Sequence, residues 1–260
     1  MTQSANCGMI LPMNSEPAAE IVALSNRRVV AVDGGTATGK GRLIEELSQL
    51  LRLKGVPVVH LSTGSLYRAV AWACMDAVSS KSIESKLDRV RIMPPEKIIE
   101  CAQKRHLEMH SGAVWLNGEP AAVEVHLKGP GVGVGSSIVS IPVPVREFVN
   151  VVARRQVNEF DGYVLIDGRD TTNTVVPDAG LKLLLTVAPH VAAQRSVEHT
   201  IEQIIARDDG DRRKKVGALR HADDAGPGVI VLPTDDHTPE SVRDHVYALM
   251  RKTWPELPEL

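Results

Sequence analysis

The sequence predicts an α/β fold of three layers, in which helices cover both faces of a parallel central sheet. Residues 28–33 hold four consecutive apolar residues before a glycine-rich turn, which is typical of a strand buried on both faces. Leucines at helical spacing follow in residues 40–53, and residues 56–61 form a second apolar run. This order of strand, helix and strand is a βαβ unit, whose right-handed crossover makes the sheet parallel.

The remaining elements are predicted from apolar periodicity. Helices are expected over residues 65–78, 145–160, 189–206 and 239–252, and strands over residues 163–167, 181–187 and 229–232. The connecting segments are a charged and partly helical stretch over 79–105, a small hairpin over 106–117 that ends at Asn117-Gly118, and a flexible glycine connector over 129–135.

Composition and charge exclude several function classes. The 260 residues contain 30 Lys and Arg against 32 Asp and Glu, a formal net charge of −2. This balance gives no electrostatic reason to expect a nucleic acid or an anionic membrane as a partner. Aromatic residues make up only 3%, too few for the stacking platforms of single-strand-binding proteins. The core must therefore consist of Val, Leu, Ile and Ala.

The N-terminal region and the cysteines predict a cytoplasmic protein. No basic residue precedes Arg27, so the charged start of a secretory signal is missing. The apolar patch at residues 9–13 is too short to cross a bilayer. The three cysteines are too few and too far apart for a disulfide framework or a zinc cluster, and we expect them to be reduced: Cys7, Cys74 and Cys101.

Residues 1–28 are predicted to form a flexible N-terminal extension, because they show little periodicity. Residues 18–24 could add a helical turn or two before the fold begins. One folded domain is then expected over residues 29–260.

A glycine-rich turn follows the first predicted strand. Residues 34–40 match the phosphate-cradling pattern G-x-x-x-x-G-K. The glycines let backbone N–H groups point inward, and the N-terminus of the next helix adds partial positive charge. Lys40 adds a full charge for the β- and γ-phosphates of a nucleoside triphosphate. The alternative is a plain turn with a solvated lysine, which the flanking strand and helix argue against.

The end of this loop departs from the usual pattern. The Ser or Thr that normally follows the lysine is replaced by Gly41, and Arg42 comes next. The predicted phosphate-binding residues for ATP are Gly34, Gly35, Thr36, Ala37, Thr38, Gly39, Lys40, Gly41 and Arg42.

With three further blocks, the sequence resembles bacterial cytidylate kinases, which are nucleoside monophosphate kinases. The blocks are Leu-Ser-Thr-Gly-Ser-Leu-Tyr-Arg at residues 61–68, Asp-Gly-Arg-Asp at 167–170 with Pro-Asp-Ala at 177–179, and Arg-Asp-Asp-Gly-Asp at 207–211. The resemblance runs from about Val29 to the C-terminus and is weakest over residues 79–130. In this family the loop reads G-K-G-T, so Gly41 fits its pattern and Arg42 stands where its threonine would be.

The resemblance implies a P-loop kinase fold with a small inserted monophosphate-binding region at about residues 79–136. It also implies a mobile lid at about residues 195–215, shortened here. Two arginines of the family's lid are replaced, by Gly210 and Lys214, and Arg195 could supply one of the missing charges. The chain is therefore expected to be a divergent member.

The resemblance places Arg68 and Arg169 at the acceptor phosphate. Two guanidinium groups suit a dianionic oxygen cluster, because each offers parallel N–H donors and stays charged. The alternatives are a solvated arginine on a helix for Arg68 and a structural ion pair with a nearby Asp for Arg169.

Asp170, Arg146 and Ser137 align with the residues with which the family reads cytosine. A carboxylate accepts a hydrogen bond from the exocyclic amine of cytosine and repels the carbonyl that uracil has there. Arg146 and Ser137 can donate to the ring carbonyl and nitrogen. Ser136 is an alternative partner, and Arg146 could instead be a surface residue of a helix.

The other implied site residues surround the same nucleotide. Thr63 and Tyr67 match positions that line the acceptor site, although a packed tyrosine is the commoner case. Arg207 and Asp211 correspond to residues near the sugar, and Lys214 to a lid cation that acts in catalysis with Lys40, Arg68 and Arg169. Asp167 could hold Mg²⁺ through water, or cap the next turn. Asp33 is expected to be structural.

The leading hypothesis is an enzyme that transfers the γ-phosphoryl group of ATP, with Mg²⁺, to CMP or dCMP. A phosphotransferase for a modified nucleotide or a metabolite phosphate is the second hypothesis. A nucleotide-binding module without catalysis is the third. Neither a nucleic acid nor a membrane is expected as a partner, and the chain is expected to be a monomer.

Overall fold

Five parallel strands form the central sheet of the computed structural model, which describes residues 28–196, 200–214 and 217–260. They are β1 Val29–Gly34, β2 Val58–Ser62, β6 Tyr163–Gly168, β7 Leu181–Thr186 and β8 Val229–Pro233. Three further strands lie outside this sheet: β3 Glu108–His110, β4 Ala113–Leu116 and β5 Glu119–Pro120. The central sheet has the order β2-β6-β1-β7-β8, and each neighbouring pair is parallel. The predicted parallel sheet is confirmed.

The helices connect these strands in the predicted order. They are α1 Lys40–Leu53, α2 Thr63–Asp76, α3 Ile83–Arg91, α4 Pro95–Lys104, α5 Val132–Val139, α6 Val143–Glu159, α7 Pro189–Arg195, α8 Ile201–Arg212 and α9 Pro239–Thr253. Two π-helical turns, Val123–Leu127 and Thr171–Val175, precede α5 and follow β6.

The side chains of β1 and β6 at the middle of the sheet alternate between two apolar clusters, which accounts for the three layers. In β1, Val29 and Ala31 pack into the cluster that contains α2, α4 and α6. Val30 and Val32 pack into the cluster that contains α1 and α9. A strand buried on both faces must be apolar at every position, which is the pattern seen in residues 29–32.

The predicted hairpin at residues 106–117 is present and is extended by a third strand. Strands β3, β4 and β5 form a small antiparallel sheet. Ser111 and Gly112 make the first turn, and Asn117-Gly118 makes the second. All four residues have positive φ, between 49° and 83°, a conformation that Gly and Asn adopt readily.

The prediction of a flexible connector over residues 129–135 was wrong for most of that stretch. Helix α5 begins at Val132, after Gly131 with φ 77°. A Cβ on Gly135 would lie 3.1 Å from the Ala71 side chain of α2. The glycine therefore permits close packing of two helices rather than chain flexibility.

The single helix predicted over residues 189–206 was also wrong. The structure divides it into α7 and α8, and α8 has its own N-terminal cap. The Thr200 side chain accepts from the Gln203 N–H, and the Gln203 side chain accepts from the Thr200 N–H. This reciprocal capping box starts a new helix, which apolar periodicity alone does not reveal.

Two predicted regions lie partly outside the described residues. The N-terminal extension is described only at Arg28, and the lid lacks residues 197–199 and 215–216. Within the described ranges, no single helix has the length and apolarity to cross a membrane. Only α5 and α6 taken together reach that length and hydropathy, and they bend by 107° at their junction.

Candidate active site

A cavity of about 230 Å³ lies at the carboxyl ends of β1, β2 and β6. Parallel strands bring these ends to one edge of the sheet, where open α/β sheets bind ligands. The cavity is lined by all the predicted acceptor-site residues together with the predicted catalytic and metal-binding ones: Lys40, Thr63, Tyr67, Arg68, Ser137, Arg146, Asp167, Arg169, Asp170, Arg207, Asp211 and Lys214.

The glycine-rich loop runs from the end of β1 to the start of α1. Gly39 has φ 90° immediately before the first residue of α1, a conformation that favours glycine. The Lys40 Nζ donates to the carbonyl oxygens of Gly34 at 2.6 Å and Gly35 at 2.7 Å. The lysine thereby closes the loop and presents its ammonium at the cavity wall.

The Lys40 ammonium is destabilised by its surroundings. Burial, and then the nearby Arg169 guanidinium, lower the pKa of Lys40 from 10.5 to about 7. The carboxylates of Asp167, Asp33 and Asp208 offset only part of this effect. A group with several negative oxygens in the cavity would favour the charged lysine.

Arg42 points away from Lys40. Its guanidinium pairs with Glu46 at 2.7 Å and with Glu45 at 3.7 Å, both on the same helix. The side chain instead borders a second, more apolar cavity of about 450 Å³, on the other side of the loop. The predicted phosphate-binding residues thus form one continuous loop, but the side chain of Arg42 does not line the first cavity.

Arg195, expected to supply a lid charge, also lies at this second cavity. It donates to the hydroxyl of Thr234 at 3.0 Å, and that hydroxyl donates to the Thr38 carbonyl at 3.2 Å. Its contacts connect α7 to the loop rather than to the first cavity.

Several cations surround the first cavity beside the loop. Arg169 donates to the Gly34 carbonyl at 2.8 Å and pairs with Asp211 at 3.1 Å. Burial and the neighbouring Arg169 and Arg68 lower the pKa of Arg207. Like charges held this close attract a further anion, and the oxygens of a phosphate group suit several guanidinium donors at once.

Arg169 thus makes the ion pair considered as its alternative role, and it also lines the cavity. Asp211 joins it to Lys214, whose Nζ lies 2.7 Å from the same carboxylate. Burial would raise the pKa of Asp211, but Arg169 and Lys214 hold that pKa below its ordinary value. Helix α8 therefore contributes Asp211 to the cavity wall, and the segment directly after α8 contributes Lys214.

The predicted cytosine-reading residues Arg146 and Asp170 lie near Tyr67 in one part of the cavity. Arg146 is only 7% exposed, so the alternative of a surface arginine was wrong. Its Nη1 donates to the Ser140 carbonyl and its Nη2 to the Gly217 carbonyl, both at 3.1 Å. The guanidinium carbon lies 5.7 Å from the centre of the Tyr67 ring.

Three buried polar atoms in this part of the cavity have no hydrogen-bond partner among the described residues. They are Nε of Arg146, Oδ1 of Asp170 and the hydroxyl of Tyr67. Burial raises the pKa of Asp170, although a hydrogen bond from Thr174 lowers it in part. Buried donors and acceptors without partners are rare, and together they indicate a polar ligand.

Either Ser136 or Ser137 could be the serine that contacts the cytosine ring. Ser136 and Ser137 both line the cavity, and both hydroxyls lie within hydrogen-bond distance of the Gly133 carbonyl. The sequence did not point to two other lining residues, Ser140 and Asn150. Asn150 lies one helical turn after Arg146 and is buried, so a polar residue within an apolar helix face was the available signal.

The two aspartates after β1 and β6 have different surroundings. Asp33 accepts from the backbone N–H and the hydroxyl of both Thr171 and Thr172, at 2.7–2.9 Å. These four bonds use both carboxylate oxygens, as expected of a structural residue. Asp167 faces the cavity, and its Oδ1 lies 2.8 Å from Nε2 of His60.

The chain is similar to known proteins along most of its length. The sequence model of the cytidylate kinase family matches residues 30–252. A cytidylate kinase of Caldanaerobacter subterraneus subsp. tengcongensis is 28% identical over 235 residues, covering 86% of this chain and 94% of the relative. A cytidylate kinase of Ralstonia nicotianae is 30% identical over 218 residues, with 79% and 86% covered. A cytidylate kinase of Rhodopirellula baltica is 28% identical over 237 residues, with 86% and 93% covered.

The family match includes the glycine-rich loop, the three strands that end at the cavity, and the lid helix α8. The chain belongs to the cytidylate kinase family.

Proposed function

We propose that this protein transfers the γ-phosphoryl group of ATP to CMP or dCMP. One observation carries the proposal: Lys40 of the phosphate loop, the unpartnered atoms of Arg146 and Asp170, and the arginines at 68, 169 and 207 all line the same cavity. A nucleoside monophosphate joins a base, a sugar and a phosphate in one ligand. The relatives named above are cytidylate kinases, which supports cytosine as the base of the acceptor nucleotide.

ATP binds with its phosphates in the loop of residues 34–42. The backbone N–H groups and Lys40 hold the β- and γ-phosphates, because the loop lies at the N-terminus of α1. The second cavity lies on the far side of Gly39 and has apolar walls at Leu43 and Val242. The donor base fits there, since its chemistry suits an apolar pocket next to the phosphates.

The acceptor phosphate binds to Arg68 and Arg169, with Arg207 beside them. Asp170 accepts from the exocyclic amine of cytosine, and Arg146 donates through its free Nε. The remaining contacts to the base and sugar come from Thr63, Tyr67, Ser137 or Ser136, and Asp211.

Asp167 fits a magnesium ion that arrives with ATP. Its carboxylate is partly exposed to the cavity near Lys40, and its bond to His60 leaves Oδ2 for a hydrated cation. Within the described residues, no group of three or more His, Cys, Asp or Glu side chains could hold a metal alone. Phosphate oxygens and water must supply the other ligands, and the bound ion neutralises charge on the transferring group.

The reaction needs no protein nucleophile. An oxygen of the acceptor phosphate attacks the γ-phosphorus of ATP, and the bond from that phosphorus to the β–γ bridging oxygen breaks, which gives ADP and the nucleoside diphosphate. Lys40, Arg68, Arg169 and Lys214 stabilise the charge on the transferring oxygens. Residues 195–215 act as the lid that excludes water.

One observation favours a second acceptor. Lys214 and Gly210 replace arginines of the family pattern, and Lys214 bonds to Ser140 at 3.1 Å, beside the part of the cavity proposed to bind the base. A changed base environment suits a modified cytidine nucleotide. We also propose that the protein is a monomer. The buried free thiols of Cys74 and Cys101 suit a reducing cytoplasm.

A coupled assay of ADP formation tests the function. Purified protein is given MgATP with each of CMP, dCMP, UMP, AMP and GMP. We expect the highest kcat/KM with CMP or dCMP. Turnover with none of the five would exclude the proposal, and calorimetric binding of ATP and CMP without turnover would indicate a non-catalytic module.

A further inference from the structure

Asp208 on α8 is buried against the phosphate loop. Its Oδ1 accepts from the Thr36 N–H at 2.9 Å and from the Thr36 hydroxyl at 2.8 Å. The residue is 8% exposed. A Cβ on Gly35 would lie 2.2 Å from Oδ2, so the glycine is what lets the carboxylate reach the loop backbone.

The same carboxylate faces Arg169. Nη1 of Arg169 lies 3.5 Å from Oδ1 of Asp208 and donates to the Gly34 carbonyl at 2.8 Å. Nη2 lies 3.3 Å from the Thr36 hydroxyl. Asp208, Thr36 and Arg169 therefore each contact the other two. These contacts join α8 to the phosphate loop and to Arg169, which is one of the two arginines proposed to bind the acceptor phosphate.

Asp208 does not line either cavity described above, whereas Arg207 and Asp211 on the same helix do. A carboxylate in contact with phosphate would repel it, and this one is turned toward N–H, hydroxyl and guanidinium donors. Any effect on the reaction must therefore pass through Thr36 and Arg169. The aspartates at 208 and 211 are three residues apart, so one face of α8 carries both.

We infer that Asp208 is a positioning residue: it docks the lid helix on the phosphate loop and orients Arg169 toward the acceptor phosphate. The inference rests on the proposed function. With the carboxylate in place, Arg169 keeps one orientation. Closure of the lid then brings Arg207 of α8 beside Arg68 and Arg169 at the acceptor phosphate. Without its charge, Arg169 loses a partly buried partner and is free to turn toward Asp211 alone.

The test compares Asp208→Asn with Asp209→Asn. The matched control removes the neighbouring carboxylate, which is 41% exposed and, among the residues that the structure describes, pairs with Arg212 on its own helix. For Asp208→Asn we expect a kcat about tenfold lower and a several-fold weaker calorimetric affinity of the folded protein for CMP, with a lower Tm because Arg169 loses a buried partner. Affinity for cytidine, which has no phosphate, should not change. Asp209→Asn should stay within about twofold of wild type in every measurement.

Each result has a separate meaning. A merely structural role would lower Tm and kcat and leave the CMP affinity of the folded protein unchanged, which would overturn the inference. Tighter CMP binding by Asp208→Asn would also overturn it, because the carboxylate would then compete with CMP for Arg169. Equal kcat and KM values for Asp208→Asn and Asp209→Asn would likewise overturn the inference. If the wild type itself neither binds nor phosphorylates CMP, the proposed function fails, and the inference with it.

A double-mutant cycle adds a second readout. Thr36→Val removes the hydroxyl that touches both Asp208 and Arg169 and keeps the backbone N–H. Combined with Asp208→Asn, its effect on CMP affinity should be much smaller than in the wild-type background. Additive effects would show that the two residues act independently.

Discussion

The Arg146 guanidinium donates to the carbonyl oxygen of Gly217 at 3.1 Å, although 71 residues separate them. Gly217 has φ 66°, and a Cβ there would lie 1.4 Å from Nη2 of Arg146. The chain that follows the lid helix therefore touches the residue proposed to read the base. If residues 195–215 act as the proposed lid, this contact links the position of the lid to recognition of the base.

Gly217→Ala should displace Arg146 and weaken acceptor binding. The added methyl group cannot coexist with the guanidinium, and the backbone conformation itself disfavours a side chain. We expect KM for CMP to rise about tenfold or more while KM for ATP stays unchanged. The control is Gly210→Ala on α8, where a Cβ would meet nothing within 4 Å. A normal KM for CMP in Gly217→Ala would contradict the link.

Lys40→Met should abolish most turnover without unfolding the protein. Loss of a preorganised cation at the transferring phosphate lowers kcat by about 100-fold or more. Because burial already disfavours the charged lysine, we expect Tm to stay the same or rise slightly. Steady-state kinetics and thermal unfolding measure the two effects. Lys97→Met, at an exposed lysine of α4, should change neither.

ATP binding should take up a proton above neutral pH. The pKa of Lys40 is about 7 in the free protein, so at pH 8 most of the lysine is neutral. Triphosphate oxygens favour the ammonium and raise that pKa, so the lysine gains up to about one proton on binding. Little uptake is expected at pH 6, where the lysine is already charged. Calorimetry at pH 8 in buffers of different ionisation enthalpy measures the uptake, and Lys40→Met should remove it.

Asp170→Ala should reduce discrimination between CMP and UMP. In the proposed function the carboxylate accepts from the cytosine amine, so its loss is expected to reduce selectivity by about 1–3 kcal/mol. The ratio of kcat/KM values for CMP and UMP is the measurement. Asp161→Ala, at an exposed position before β6, is the control. An unchanged ratio in Asp170→Ala would show that the base lies elsewhere.

The strand, loop and first helix could be predicted from the sequence because they depend on neighbours in the chain. Apolar residues 29–32, the glycines and Lys40 lie within a dozen positions, and local spacing specifies their conformation. The same holds for Asp167 and Arg169 at the end of β6 and for Arg68 in the helix that follows β2, since a parallel sheet brings the carboxyl ends of its strands to one edge.

Two local patterns were misleading where packing or capping decided the outcome. Glycines at 129–135 look flexible in sequence, yet Gly135 lets α5 pack closely on α2. The apolar spacing of 189–206 continues across the point where Thr200 caps a new helix.

From the sequence alone one obtains the fold class, the phosphate loop and the set of charged residues at the sheet edge. Only the tertiary structure decides which charge meets which partner. Asp208 reaches Thr36 across 172 residues, and Arg169 after β6 pairs with Asp211 on α8. Hydrogen bonds depend on distances within about 3 Å and on direction, and such geometry between distant segments exists only after the helices have packed on the sheet.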